Sequence, residues 1–217
     1  MKKSLYLQNL NKPLAEFKHV YQFKISLQEI QPLIWRRIQV PENYTFWDFH
    51  VAIQDVMGWL DYHLHSFVTE NLVTGKKEHI GIPEEIYDEC FDDYETLPGW
   101  DLQIGDYFSE ERRFMQYLYD YGDGWDHLIE YEAIFFKKPF QKYPVCLDGA
   151  RSGPPEDCGG VPGYENFIKI IKDPLNKESQ SMRKWAGKDK CNTEVFDKKN
   201  VHFDNPKTRF KKAFLKK

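Results

Sequence analysis

A glycine-punctuated turn between two β-rich runs constrains the fold of this chain more than any other feature. Residues 113–120 and 126–136 are rich in aromatic and β-branched side chains, and they flank the segment 121–125, YGDGW. This pattern predicts a β-hairpin whose turn is longer than two residues. Two strands joined so closely run antiparallel, so the hairpin predicts antiparallel pairing in the sheet.

Further strands are predicted by apolar residues that alternate with polar ones. Residues 21–27 and 34–40 both alternate in this way, with Pro32 between them and Pro41 at the end of the second run. Residues 63–69, HLHSFVT, also read as a strand. Because alternate residues of a strand share a face, His63 and His65 are expected on the same side.

Helices are predicted where the apolar period changes to that of a helix. Thr45 and Asp48 form a capping-box-like pair before an apolar stripe, and Gly58 is a suitable residue just after the helix end. Helical periods return at 164–173, in a short stretch that ends at Gly187, and after the N-cap Asn205. Residues 139–163 are rich in proline and glycine and predict a rigid, irregular loop, while 90–95 predict an acidic loop.

These elements predict an α+β fold, with one domain of mainly antiparallel sheet and a few packed helices. The length of 217 residues suits one domain. We expect the domain to span residues 19–204, between an N-terminal arm (1–18) and a basic C-terminal helix or tail (205–217).

Charge and composition narrow the partners and the location. The chain carries a net charge of −4, although residues 205–217 contain six Lys or Arg and no acid. The acidic body disfavours nucleic acid, so phosphate contacts could come only from the tail, whose simpler interpretation is a solvated helix end.

No apolar run approaches the roughly 18 residues of a membrane span, and the N-terminus lacks a signal-peptide core. We therefore expect a cytoplasmic protein with reduced cysteines and no membrane partner.

Two polar segments about thirty residues apart are expected to form the two sides of one site. They are residues 119–127, YDYGDGWDH, and residues 154–160, PPEDCGG. With the strand at 63–67, they predict a polar cleft walled by 63–67, 119–130 and 146–160, for a ligand or protein that the sequence does not identify. The cleft residues are Trp35, Arg36, His63, His65, Asp120, Asp123, Trp125, His127, Glu156, Asp157 and Cys158.

A divalent metal is the cofactor that this cleft suggests. His63 and His65 could converge on an ion, with His127 or a carboxylate as the third ligand. Alternatively, both histidines are polar surface residues of a strand. The aspartates at 120, 123 and 126 lack the ligand order of a calcium loop and favour turn capping instead.

Candidate catalytic residues lie in the same two segments. Asp123, His127, Glu156 and Asp157 could act in acid–base chemistry if burial separated their pKa values. Cys158 could be a nucleophile only beside a base that lowers its pKa. The simpler interpretation is that the acids hydrogen-bond the backbone of their own turns.

Several unusual motifs in a fixed order resemble a known family. They are IWRR (34–37), MGW (57–59), HLHSF (63–67), YDYGDGWDH (119–127), CLDG (146–149), PPEDCGG (154–160) and GY (163–164). Together they are similar to the Ri-plasmid open-reading-frame-three-like family, also labelled TnpR-like passenger proteins of insertion elements. The resemblance implies an α+β domain with an antiparallel sheet, and it carries no established catalytic residues.

Two functional hypotheses follow. The first is a binding or accessory module linked to mobile genetic elements, in which Asp123, His127 and Asp157 hydrogen-bond mainly to the backbone. The alternative is a metal-dependent hydrolase with His63, His65 and His127 as ligands and Asp123 or Glu156 as base.

Overall fold

The described part of the chain folds as an α+β domain around one eight-stranded sheet. A computed structural model describes residues 4–71, 74–83 and 95–215. Its strands are β1 (His19–Leu27), β2 (Trp35–Pro41), β3 (His65–Glu70), β4 (Lys77–Gly81), β5 (Thr96–Pro98), β6 (Phe114–Tyr119), β7 (Trp125–Phe136) and β8 (Val145–Ala150). Their order is β5-β4-β3-β6-β7-β1-β2-β8. Every neighbouring pair is antiparallel except β4 and β5, which confirms the predicted fold class.

Five α-helices accompany the sheet in the described part of the chain. They are α1 (Leu5–Gln8), α2 (Phe46–Met57), α3 (Gly160–Lys172), α4 (Ser179–Cys191) and α5 (Pro206–Phe214). The predicted capping box of α2 is present, because Thr45 Oγ1 accepts from the Asp48 amide and Asp48 Oδ2 accepts from the Thr45 amide. Gly58 ends α2 in the left-handed conformation. Asn205 caps α5 as predicted, with Pro206 as its first residue.

Helix α2 is buried because it packs against the sheet and also contacts both ends of the described chain. Phe49 lies 4.7 Å from Phe23 of β1 and 5.8 Å from Phe67 of β3, measured between ring centroids. In a second apolar cluster, Tyr6 of α1, Trp47 and Val51 of α2 and Phe210 of α5 pack together with Leu10 and Trp100, which lie outside the helices. The terminal helices α1 and α5 therefore meet on α2.

Several predicted boundaries differ from the observed ones. Strand β3 begins at His65, so His63 precedes it. The predicted loop at 139–163 contains β8, which pairs with β2 at the edge of the sheet. Helix α4 is broken at Gly187, whose dihedral angles are not helical, so the predicted end at Gly187 is followed by a further helical stretch to Cys191. The predicted acidic loop at 90–95 has residues 90–94 outside the described part.

None of the described helices has the length and apolar character needed to cross a membrane.

A histidine–carboxylate cluster as the candidate functional site

The turn between β6 and β7 fixes one carboxylate of the candidate site. Asp120 adopts a positive φ of 57°, which Asp tolerates better than most residues. Its Oδ1 accepts hydrogen bonds from the amides of Gly122 (3.0 Å) and Asp123 (3.2 Å). These bonds hold Asp120 Oδ1 inside the turn, so Oδ2 remains for contacts outside it.

The segment 154–160 docks against this turn and against the residues that follow α2. The Gly159 amide donates to Asp123 Oδ2 over 3.1 Å, and Trp59 Nε1 donates to the Pro154 carbonyl over 3.0 Å. The Leu60 amide donates to Glu156 Oε1 over 2.6 Å. The two polar segments of the sequence are therefore in direct contact.

His63 lies where these segments meet, and three carboxylates surround its Nε2 atom. That nitrogen is 2.9 Å from Asp157 Oδ1, 3.5 Å from Asp120 Oδ2 and 3.7 Å from Glu156 Oε2. The side chain of His63 is 29 % exposed and that of Asp157 is 64 % exposed, so the cluster opens to solvent on the Asp157 side.

Glu156 is held by Tyr119, a residue of the site that the sequence did not single out. The Tyr119 hydroxyl lies 3.1 and 3.2 Å from the two carboxylate oxygens of Glu156, and it also accepts from the Tyr62 amide. Burial and the Glu156 charge raise the pKa of Tyr119 far above its ordinary value, so the phenol remains a donor. Tyr119 could have been identified from the sequence by its position directly before Asp120 in the hairpin motif.

The cluster has a donor set that suits a divalent metal. His63, Asp120 and Asp157 each offer one ligand atom, and these three atoms lie within 4.8 Å of one another. A tetrahedral zinc site needs ligand atoms about 3.3–3.6 Å apart, given bonds of roughly 2.0–2.2 Å. The distances from His63 Nε2 to Asp157 and Asp120 are close to that spacing.

His65 and His127 do not join this group, so the predicted trio of histidine ligands is not assembled. His65 is a buried strand residue that stacks on His50 at a ring-centroid distance of 3.5 Å. Burial and the neighbouring His50 lower the pKa of His65 well below its ordinary value. Because β3 begins at His65, His63 lies outside the strand. The alternation that would place both histidines on one face therefore does not apply to them.

His127 is a core residue that binds the backbone of its own hairpin. Its Nδ1 lies 3.0 Å from the Trp125 carbonyl and 3.2 Å from the Tyr117 carbonyl, so this nitrogen carries the proton. Burial lowers the pKa of His127 to about 4. The ring is therefore neutral at pH 7 and acts as a hydrogen-bond donor inside the sheet.

The remaining predicted cleft residues lie in several places. Trp125 is in the core, and Asp123 binds the Gly159 amide. Trp35 is partly exposed and lies under the Arg37 guanidinium, while Arg36 is buried and lines a separate cavity. Burial, followed by the charge of Asp123, raises the pKa of Cys158 to about 12, so its thiol is a poor nucleophile at pH 7.

Two proteins that are similar to this chain have no stated function. A curated relative from Sinorhizobium fredii, the uncharacterized protein y4hQ, is 28 % identical over 168 residues, which cover 77 % of this chain and 81 % of that protein. A crystal structure of a protein of unknown function from Methanosarcina mazei, MM3350, is 42 % identical with a TM-score of 0.75. The match covers 87 % of this chain and all of that one.

The family to which these motifs belong is identified by a match over most of the chain. The model of the plasmid pRiA4b ORF-3-like proteins matches residues 19–205, which include the hairpin, the 154–160 segment and His63. The chain belongs to the plasmid pRiA4b ORF-3-like family.

Proposed function

We propose that this protein is a binding module that takes a divalent cation at His63, Asp120 and Asp157. The observation that carries the proposal is the approach of these three ligand atoms to within 4.8 Å of one another. A mixed set of imidazole nitrogen and carboxylate oxygen suits zinc, manganese or ferrous iron better than calcium, which takes oxygen ligands.

The local charge also favours a cation. Asp120, Glu156 and Asp157 place three carboxylates around one imidazole. The Lys190 ammonium interacts electrostatically with Glu156 and offsets part of their charge. With His63 neutral, as a metal ligand must be, about two negative charges remain, which a divalent ion would balance.

Metal binding by the purified protein tests the proposal directly. After chelator treatment and dialysis, calorimetric titration with Zn²⁺ and Mn²⁺ should show one site per chain. Asp157→Asn should weaken binding at least about tenfold, since even changes beyond the direct ligands cost metal sites about 10–100-fold.

Asp126→Asn is the matched control, because Asp126 lies in the same hairpin motif and outside the ligand group. It should bind metal like the unaltered protein. Equal weakening by Asp126→Asn and Asp157→Asn, or the absence of stoichiometric binding, would show that the cluster is not a metal site.

A second candidate function, metal-dependent hydrolysis, is favoured by the position of Glu156. Three protein ligands leave a fourth zinc position for water, and Glu156 Oε2 lies 3.7 Å from His63 Nε2, beside the proposed ion. Glu156→Gln should then retain metal and lose turnover of a chromogenic ester or phosphodiester. If the metal-loaded protein shows no turnover, hydrolysis is refuted and only the binding-module proposal remains.

Nucleic-acid binding through the basic tail is the weaker proposal, because most described cations of α5 contact the protein itself. Lys207 Nζ donates to the carbonyls of Asn9, Lys12 and Pro13, and Lys211 Nζ donates to Asn11 Oδ1. Arg209 pairs with acidic groups. A link to mobile genetic elements rests only on the description of the family, and retention on DNA at varied salt concentrations tests it.

A further inference from the structure

A cavity of about 410 Å³ lies at the C-terminal end of α2. Its walls come from the end of α2, from residues 152–153 and from residues 188–201. Arg36 and Lys190 both line it, and so do apolar groups of Val195, Phe196 and Val201. With Lys188, which also lines it, the cavity therefore combines three cationic groups with an apolar wall.

Arg36 is a buried cation without an acidic partner in the described part of the chain. It is 1 % exposed. Its Nε donates to the Val56 carbonyl, and Nη1 donates to the carbonyls of Trp35 and Ala150, all within 2.9 Å. Among the described residues, Nη2 makes no hydrogen bond, and the guanidinium lies 3.8 Å from the centre of the Phe196 ring. The backbone carbonyls therefore hold the guanidinium in place and leave its Nη2 atom available as a donor.

Lys190 brings a second positive charge to the same place. Its Nζ donates to the Met57 carbonyl over 3.0 Å, directly after the carbonyl that binds Arg36. Burial, followed by the charge of Arg36, lowers the pKa of Lys190 to about 8. The C-terminal end of a helix offers only about half a negative charge, which is less than the two cations bring.

The acidic residues of the cavity wall are mostly engaged elsewhere. Asp55 pairs with Arg209 over 2.7 Å, and Asp197 accepts from the Lys199 amide. Asp189 is exposed and has Lys188 beside it on the wall. The charge of Arg36 is thus left without a carboxylate in contact.

We propose that this cavity binds a small organic phosphate, with its phosphate group between Arg36 Nη2 and Lys190 Nζ. A planar guanidinium fork and an ammonium are the donors that phosphate oxygens prefer in proteins. Inorganic phosphate alone would leave most of the 410 Å³ empty. The apolar surface of Phe196 and Val201 gives the organic part of the ligand a place to pack.

The test uses phenyl phosphate as the probe, with inorganic phosphate and benzoate for comparison. Chelator is present throughout, so the result is independent of the proposed metal site. Phenyl phosphate should bind with a Kd of about 1 mM or tighter, and benzoate should bind at least about tenfold more weakly, because it offers two oxygens to the donors instead of three. Inorganic phosphate should lie between them.

Lys190→Met is the informative variant, since Arg36 is buried and its substitution would also disturb folding. It should weaken phenyl phosphate binding at least about tenfold, as expected for a lost charge-assisted hydrogen bond. Lys184→Met is the matched control, because Lys184 is exposed on α4 and lies outside the cavity wall. It should change binding less than about twofold.

Three outcomes would overturn the proposal. They are no saturable binding of phenyl phosphate at 10 mM (roughly ten times the weakest affinity expected, Kd about 1 mM), equal affinity for benzoate, or unchanged affinity in folded Lys190→Met.

Discussion

The second glycine of the 154–160 segment sets how closely the segment can dock on the hairpin. Gly160 is the first residue of α3 and has a φ of 65°. A Cβ atom added there would overlap the carbonyl oxygen of Asp123 and lie 3.3 Å from its carbonyl carbon. Both atoms belong to the backbone, so no side-chain rotation relieves the overlap. Gly160→Ala should therefore separate the segment from the turn.

Two costs add in this variant. A left-handed conformation costs an L-residue about 1–2 kcal/mol. Inserting a methyl group into a closely packed contact costs about 1–3 kcal/mol more. The free energy of unfolding should fall by roughly 2–5 kcal/mol, which lowers Tm by about 2–4 °C per kcal/mol in a chain of this length.

Gly124→Ala separates the two costs, because Gly124 has nearly the same φ, 68°, and a Cβ there would meet no atom within 4 Å. It should lose only the conformational part, about 1–2 kcal/mol. Urea unfolding followed by tryptophan fluorescence measures both variants. If Gly124→Ala proves as destabilising as Gly160→Ala, close docking is not what Gly160 provides, and the reasoning fails.

Two further predictions concern buried ionisable groups. The pKa of His127 is about 4 in the folded protein, so the unfolded chain binds more protons below pH 6.5; stability should fall by about 2–3 kcal/mol between pH 7 and 4.5. His127→Gln should remove that part of the pH dependence, as followed by urea unfolding, and an unchanged profile would contradict it. Arg209→Met should cost about 3 kcal/mol, because it leaves Asp55, 5 % exposed, without its partner. Lys212→Met, at an exposed position, should cost less than about 0.5 kcal/mol. Thermal melts measure both variants, and equal losses would refute the pairing argument.

Much of the fold follows from local patterns in the sequence. Alternation predicted β1 and β2 within two residues of their observed ends, and the capping pair of Thr45 and Asp48 predicted the start of α2. The glycine-rich segment 121–125 predicted the β6–β7 hairpin, whose turn is observed at 120–124. In each case, the determining interactions lie between residues close in the chain, so sequence spacing carries the information.

The candidate site is less accessible to such reasoning. The segments that form it were recognisable, because acids and glycines are concentrated at turns. The sequence did not show which histidine lies beside these acids, because that depends on the residue at which β3 begins. The binding of Arg36 and Lys190 to adjacent carbonyls was also beyond reach, because it brings β2 and α4 together at the C-terminal end of α2. Strand β8 was missed because it lies between prolines and glycines at the sheet edge.

The carboxylates around His63 differ in how firmly they are held, and this difference indicates how a cation would enter. Asp120 is fixed by two amides of its turn, and Glu156 by Tyr119 and the Leu60 amide. Asp157 makes no such hydrogen bond among the described residues; its close contact is with His63 Nε2, 2.9 Å away, and it is the most exposed of the three acids. An entering ion must displace that one contact, whereas the other two acids already face the site. Asp157 is therefore the ligand expected to move, and the preformed pair behind it supplies the field that draws a cation in.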